Sequence, residues 1–241
     1  IRTKDFDWNI SLNLAHNENE VTRLSNDVFT MDKILLGDVF IRGGSSSGTH
    51  VLEEGRPIGQ FYGLVCNGID ENGRYIMVDK DGDGEISDPA DYDYIGSAQP
   101  KLTYGITNTF RYKNFDLSFF LRGTIGNDIL NATRMAYAQS GFLPGTNALD
   151  DPLTYTLSET PRFSNYYLEK GSFMRLDNLT LGYKIKALNG IRVYFTAQNL
   201  FVITKYKGLD PEVPMDSGDG LTPGVEPVSY THLRAHETEA D

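Results

Sequence analysis

Between Asp79 and Asp93 the chain reads Asp-Lys-Asp-Gly-Asp-Gly-Glu-Ile-Ser-Asp-Pro-Ala-Asp-Tyr-Asp. Carboxylates at alternate positions, Gly84 for a sharp turn and the apolar Ile86 after it form the start of an EF-hand-like loop. Such a loop surrounds a hard cation such as calcium with hard oxygen donors. The ligand set this predicts is Asp79, Asp81, Asp83, Glu85, Asp88 and Asp91. The twelfth position, where a bidentate acid belongs, is Ala90, and the acid falls one residue late at Asp91. The same residues also suit a solvated acidic turn in which Asp and Gly satisfy neighbouring backbone groups. Calcium is the one cofactor the residues imply, and nothing calls for an organic one.

Other residues capable of chemistry carry less. The aromatic residues Phe142, Tyr155, Tyr166 and Tyr167 fall in a long loop, where they could stack on sugar rings or meet a partner protein, or pack against one another. His232 and His236 are four apart, but the Glu that a zinc-protease helix needs between them is absent. Cys66 has no His or basic neighbour to activate it and reads as an inert thiol. No Ser-His-Asp set, phosphate loop or catalytic carboxylate pair stands out, so the chain is not expected to be an enzyme.

The elements that position these loops are strands. From Phe6 to Leu14 every even residue is apolar, and from Asp7 to Asn13 every odd residue is polar. Successive strand side chains point to opposite faces, so this segment, about Phe6 to Ala15, has one oily and one wet face. Short strands are predicted at Ile34–Ile41 and His50–Leu52, and a glycine-punctuated one at Ile58–Ile69. A hairpin follows, Leu102–Tyr112 and Phe115–Gly123, turning at Lys113-Asn114. Leu102, Tyr104, Ile106, Phe110 and Tyr112 share its oily face with Phe115, Leu117, Phe119 and Leu121. A helix is predicted over Asn127–Gln139 from the spacing of Ile129, Ala132, Met135 and Ala136. A second hairpin, Ser172–Ile185 and Ile191–Ile203, turns at Asn189-Gly190, the dipeptide suited to a type I′ turn.

With 241 residues, 39% hydrophobic and rich in Tyr, Phe and Gly, the composition is that of an all-β protein. The net charge of −11 argues against a nucleic-acid partner, since a net acidic chain does not neutralise a phosphate backbone. No apolar run is long enough for a membrane-crossing helix, whereas a membrane-crossing strand needs only about 9–11 residues. Ile1-Arg2-Thr3 reads as a start in mid-protein.

Turns at 113–114 and 189–190 are minimal, while the connections 70–101, 124–171 and 204–227 are long. Short turns on one side and long loops on the other is the habit of transmembrane barrels. With the short turns periplasmic, the three long connections are extracellular. Trp8, Tyr104, Tyr112, Phe115 and Tyr183 then fall where interfacial aromatic girdles lie, and Asp7, Asn9, Arg111, Asp116, Arg122 and Gln198 line a polar interior. The fold expected is all-β: an antiparallel meander forming a partial wall of a large transmembrane β-barrel, with long extracellular loops and one short loop helix.

Several segments resemble the C-terminal barrel region of the SusC/RagA family of TonB-linked outer-membrane transporters. They are Gly55-Arg56-Pro57-Ile58-Gly59-Gln60-Phe61-Tyr62-Gly63, Asp79-Lys80-Asp81-Gly82-Asp83-Gly84-Glu85-Ile86 and Ile95-Gly96-Ser97-Ala98-Gln99-Pro100-Lys101-Leu102-Thr103-Tyr104-Gly105. Further on come Tyr112-Lys113-Asn114-Phe115-Asp116-Leu117-Ser118, Gly126-Asn127-Asp128-Ile129, Phe173-Met174-Arg175-Leu176-Asp177-Asn178-Leu179-Thr180-Leu181-Gly182-Tyr183 and Ala197-Gln198-Asn199-Leu200. The resemblance implies an outer-membrane location and import of large nutrients, oligosaccharides or peptides, through a barrel capped by a SusD-like surface lipoprotein. It also implies contact with TonB through an N-terminal region that this chain lacks. A barrel of about 22 strands needs well over 400 residues, so residues 1–227 are expected to be its C-terminal part without the last strand. Residues 228–241 match no barrel strand and resemble translated adapter sequence, a non-native tail.

Two other readings fit the same pattern. A secreted, calcium-stabilised β-sandwich that binds glycans would cover the oily face with a second sheet, and a receptor barrel could signal without importing.

Overall fold

The computed structural model describes residues 1–26, 28, 30–39, 48–141, 143, 145, 147–188, 190–212 and 220–226. The strands are β1 (Phe6–Ala15), β2 (Lys33–Leu36), β3 (His50–Glu53), β4 (Gln60–Leu64), β5 (Cys66–Ile69), β6 (Tyr75–Met77) and β7 (Tyr92–Ser97). They continue as β8 (Leu102–Tyr112), β9 (Phe115–Ile125), β10 (Asp128–Leu130), β11 (Leu168–Lys170), β12 (Phe173–Ile185) and β13 (Ile191–Thr204). Among the described residues two short helices, α1 (Ala132–Tyr137) and α2 (Pro152–Thr156), accompany them together with 3-10 turns. The chain divides into two compact units, one of Ile1–Asn17, Pro100–Asn127 and Lys170–Tyr206, the other of Glu18–Gln99, Asp128–Glu169 and the residues from Lys207 on.

The first unit is a wholly antiparallel sheet in the order β1-β8-β9-β12-β13. Register follows the alternation in the sequence. Trp8 lies opposite Phe110, Phe110 opposite Leu117, Leu117 opposite Leu181, and Leu181 opposite Phe195, so apolar residues continue across all five strands on one face. On the other face Asp7 faces Arg111 and Arg111 faces Asp116, with Asn9, Arg122 and Gln198 on the same side. The register also places the three long excursions at one end: Ala15 pairs Thr103, Leu102 pairs Ile125, and Phe173 pairs both Thr124 and Thr204. The hairpin turns lie at the opposite end, where Tyr112 pairs Phe115 and Ile185 pairs Ile191. Lys113 takes the left-handed φ of +53° that its tight turn requires.

The second hairpin departs from expectation. Lys186–Leu188 forms a 3-10 turn, so the connection is 186–190 rather than a bare dipeptide; Asn189 lies outside the described residues. The ladder also slips at Leu176/Asn178 against both neighbours, which makes Asp177 a bulge residue. Asn199 on β13 absorbs the slip with φ +50°, a conformation that Asn tolerates better than most side chains.

The second unit holds the remaining strands around a core of Phe61, Leu130, Met135, Phe163 and Tyr167, each at most 1% exposed. Ile58–Ile69, expected as one strand, is two: β4 joins the sheet β2-β3-β4-β7, and β5 pairs with β6 in a separate two-stranded sheet. The helix expected over Asn127–Gln139 is confined to Ala132–Tyr137. Ile129 and Leu130 are buried in strand β10, and the Asn131 side chain caps α1 by accepting from the Arg134 N–H at 2.8 Å. Phe142, Phe40, Ile41 and the tail 228–241 lie outside the described residues.

Candidate functional site

The acidic loop connects β6 to β7. Asp79 closes it by accepting from the Gly82 and Gly84 N–H groups at 2.6 and 2.9 Å, while Gly82 and Gly84 take positive φ. Asp81 accepts from the Asp83 N–H and Asp83 from the Glu85 N–H, at 3.1 and 2.8 Å. Asp91 is 1% exposed and reaches back across the loop, accepting from the N–H of Ser87 at 2.8 Å and of Lys80 at 2.6 Å. These backbone donors hold the Asp91 carboxyl below the ordinary carboxylate range.

Asp79, Asp81 and Asp91 each turn one carboxylate oxygen into a common space, within 4.8 Å of one another. The other residues of the expected set stand elsewhere. Asp83 serves the local turn, Glu85 is exposed, and Asp88 forms an ion pair with Arg162 at 2.7 Å. Three carboxylates at that spacing, in a loop whose Lys80 ammonium is drawn to Asp93 at 2.9 Å, suit an oxygen-seeking divalent cation.

Of the loop aromatics, Tyr155 presents its ring, 74% exposed. Tyr167 is fully buried with its hydroxyl on that of Tyr75 at 2.5 Å, and Tyr166 packs between Tyr75, Tyr167 and the Arg134 guanidinium. Tyr166 and Tyr167 are therefore part of the packing that holds the loop together. Cys66 is buried, with its thiol pushed up by desolvation, which suits the inert reading.

The sheet itself presents a broad surface. Its apolar face is open, with Ile10 57%, Val193 58% and Phe195 63% exposed, and a contiguous exposed apolar patch of this kind marks a membrane or partner contact. The polar face is knitted by ion pairs, Arg192 to Asp116 and Arg122 to the bulge residue Asp177. Phe115 and Tyr183 cluster near the short-turn end with ring centroids 4.5 Å apart, while Tyr104 lies toward the other end. Among the described residues no helix is long and apolar enough to cross a membrane, a fact that does not bear on crossing by strands.

No protein-family profile matches the chain. It is 36% identical over 97% of its length to TonB-dependent receptor SusC of Bacteroides thetaiotaomicron and 32% identical over 88% to TonB-dependent receptor P3 of Formosa agariphila. It spans about a quarter (24%) of each. Among solved structures, the RagAB peptide importer in its closed-closed state superposes with a TM-score of 0.72 at 26% identity, covering 95% of this chain and 26% of that one. The chain is thus a SusC/RagA-like stretch of a TonB-dependent receptor, and its antiparallel sheet is part of that receptor's barrel wall.

Proposed function

We propose that the protein to which this stretch belongs is an outer-membrane transporter that imports large nutrients, oligosaccharides or peptides. Energy would come from TonB, reached through a region outside this chain, and a SusD-like surface lipoprotein would cap the barrel. The observation that carries the reading is the five-stranded sheet with one open apolar face, an ion-paired polar face and all three long excursions at a single end. Hydrocarbon would touch the first face and the barrel interior the second. The names of the relatives, a SusC receptor and a peptide importer, point the same way.

The test is growth and uptake. Deleting the gene should abolish use of one polymeric nutrient, oligosaccharide or peptide, while leaving its monomer usable, and the tagged receptor should co-purify with a surface lipoprotein. Unchanged growth on every polymer would remove the import reading. A chain that stays monomeric and unfolds cooperatively in detergent-free buffer would instead favour the glycan-binding sandwich.

Within this reading Asp79, Asp81 and Asp91 hold a calcium ion that stiffens the 79–91 loop on the outer side. Titration of the receptor with calcium should show one saturable loop site, and no binding at millimolar calcium removes it.

A further inference from the structure

At the long-connection end of the sheet the apolar face carries an open groove. Tyr104, Gly123, Met174 and Ile203 form one cross-strand row, and Gly123 contributes no side chain to it. None could fit, because a Cβ there would stand 2.0 Å from the Phe173 carbonyl oxygen and 2.6 Å from the Tyr104 hydroxyl, which crosses the gap to donate to that carbonyl at 3.2 Å. The Tyr104 ring thus covers Gly123, and an open groove of about 480 Å³ lies beside it. Tyr104, Ile125, Met174 and Ile203 supply its apolar wall, and the exposed Lys170 and Lys205 stand among its lining residues. The rim is tied down. The Ser172 Oγ accepts from the Gly126 N–H at 2.9 Å, and the Ser172 carbonyl accepts from the Thr204 hydroxyl at 3.0 Å.

We propose that this groove binds one phosphate-bearing, multiply acylated lipid of the outer leaflet, with acyl chains along its apolar wall and a phosphate between Lys170 and Lys205. The inference rests on the membrane reading of the sheet. The charge argument is local: the chain carries −11 overall, yet a site at the end of its oily face gathers two ammonium groups. Lysines beside an apolar groove at headgroup depth are what an anionic lipid recognises, and a preformed rim limits the ordering that binding costs.

The complete receptor, reconstituted in phosphatidylcholine nanodiscs doped with a bis-phosphorylated, multiply acylated lipid, is assayed by native mass spectrometry for retained lipid. The same lipid stripped of its phosphates runs in parallel. The phosphorylated form should be retained about tenfold better. Lys170→Gln with Lys205→Gln should erase that preference, Lys170→Arg with Lys205→Arg should keep it, and millimolar inorganic phosphate should not displace the lipid. Equal retention of the two lipids, a glutamine variant that still prefers the phosphorylated one, or displacement by phosphate alone overturns the proposal while leaving the membrane reading intact. A receptor that does not enter nanodiscs at all overturns both.

Discussion

The indole N–H of Trp8 donates to the side-chain oxygen of Asn108 at 3.2 Å, on the apolar face of the sheet. Asn108 is 7% exposed and is the one wholly polar side chain among the paired positions of that face, where Ile106, Phe110 and Phe119 surround it. Trp8 also stacks on Phe110, with ring centroids 5.6 Å apart, so the indole is held in place to serve the amide. In hydrocarbon an amide without a partner is expensive, and in water it is not.

Trp8→Phe should therefore destabilise the receptor in a bilayer by about 1–3 kcal/mol, the cost of stranding the amide oxygen. Asn108→Leu in the same background should recover most of that loss. The measurement is urea unfolding of bilayer-inserted receptor for the single and double variants. A Trp8→Phe effect near zero would mean that the face is wetted.

On the opposite face, the Arg192 guanidinium donates to Asp116 through Nε and Nη2 at 3.0 and 2.6 Å, from β13 to β9 across the intervening β12. The pair can cross because β12 carries Gly182 beneath it; a Cβ there would stand 2.6 Å from both Asp116 carboxylate oxygens and 2.7 Å from Arg192 Nη2. Gly182→Val should separate the pair and abolish the coupling between Asp116→Asn and Arg192→Gln. The readout is a double-mutant cycle of unfolding temperature, and a coupling that survives in the valine background would show that the glycine is not what admits the pair.

In the acidic loop, the geometry ranks the carboxylates. Asp91→Asn or Asp81→Ala should lower calcium affinity at least tenfold, whereas Asp83→Ala, whose carboxylate serves the Glu85 N–H, and Asp88→Asn, whose partner is Arg162, should change it less than threefold. Isothermal titration of each variant decides this. Equal losses at Asp83 and Asp91 would return the site to the linear EF-hand pattern.

How much of this was legible in the sequence depends on the range of the interactions. Phe6–Ala15 shows its bounds and both faces because period-two alternation is a local signal. The bulge at Asp177 left a trace too, since Leu176 and Leu179 stand three apart and break the alternation, but the left-handed Asn199 that compensates it belongs to another strand. Ile58–Ile69 reads as one run because nothing in its residues says that β4 and β5 choose different partners. Helical spacing at Ile129 was coincidental, and the Asn131 cap marked the true start of α1. In the candidate metal loop, the displacement of the final acid to Asp91 was readable. The loss of Asp88 was not, because Arg162 arrives from far along the chain.

His50 gives the second unit a pH dependence. Its ring is fully buried on β3, with Nδ1 at 2.9 Å from the Thr49 hydroxyl and Nε2 at 2.9 Å from the Pro223 carbonyl, which makes the neutral ring with Nε2–H donating the form that satisfies both. Burial pushes its pKa down from 6.5 to about 4. The unfolded chain therefore takes up a proton near pH 6.5 that the folded chain refuses until about pH 4, and stability falls with pH across that window. Above pH 6.5 the full stability is present; below about pH 4 this contribution flattens after a total loss of about 3 kcal/mol. Asp91 acts with the same sign lower down, since its depressed pKa supplies stability that is full above the ordinary carboxylate pKa of 3.8 and vanishes as pH falls through the folded value. Hydrogen exchange at the amides of β3 and β4 should accordingly show protection falling between pH 7 and pH 5 beyond the intrinsic rate change, and His50→Gln should flatten that slope. A slope unchanged by the substitution would assign the pH response to another group.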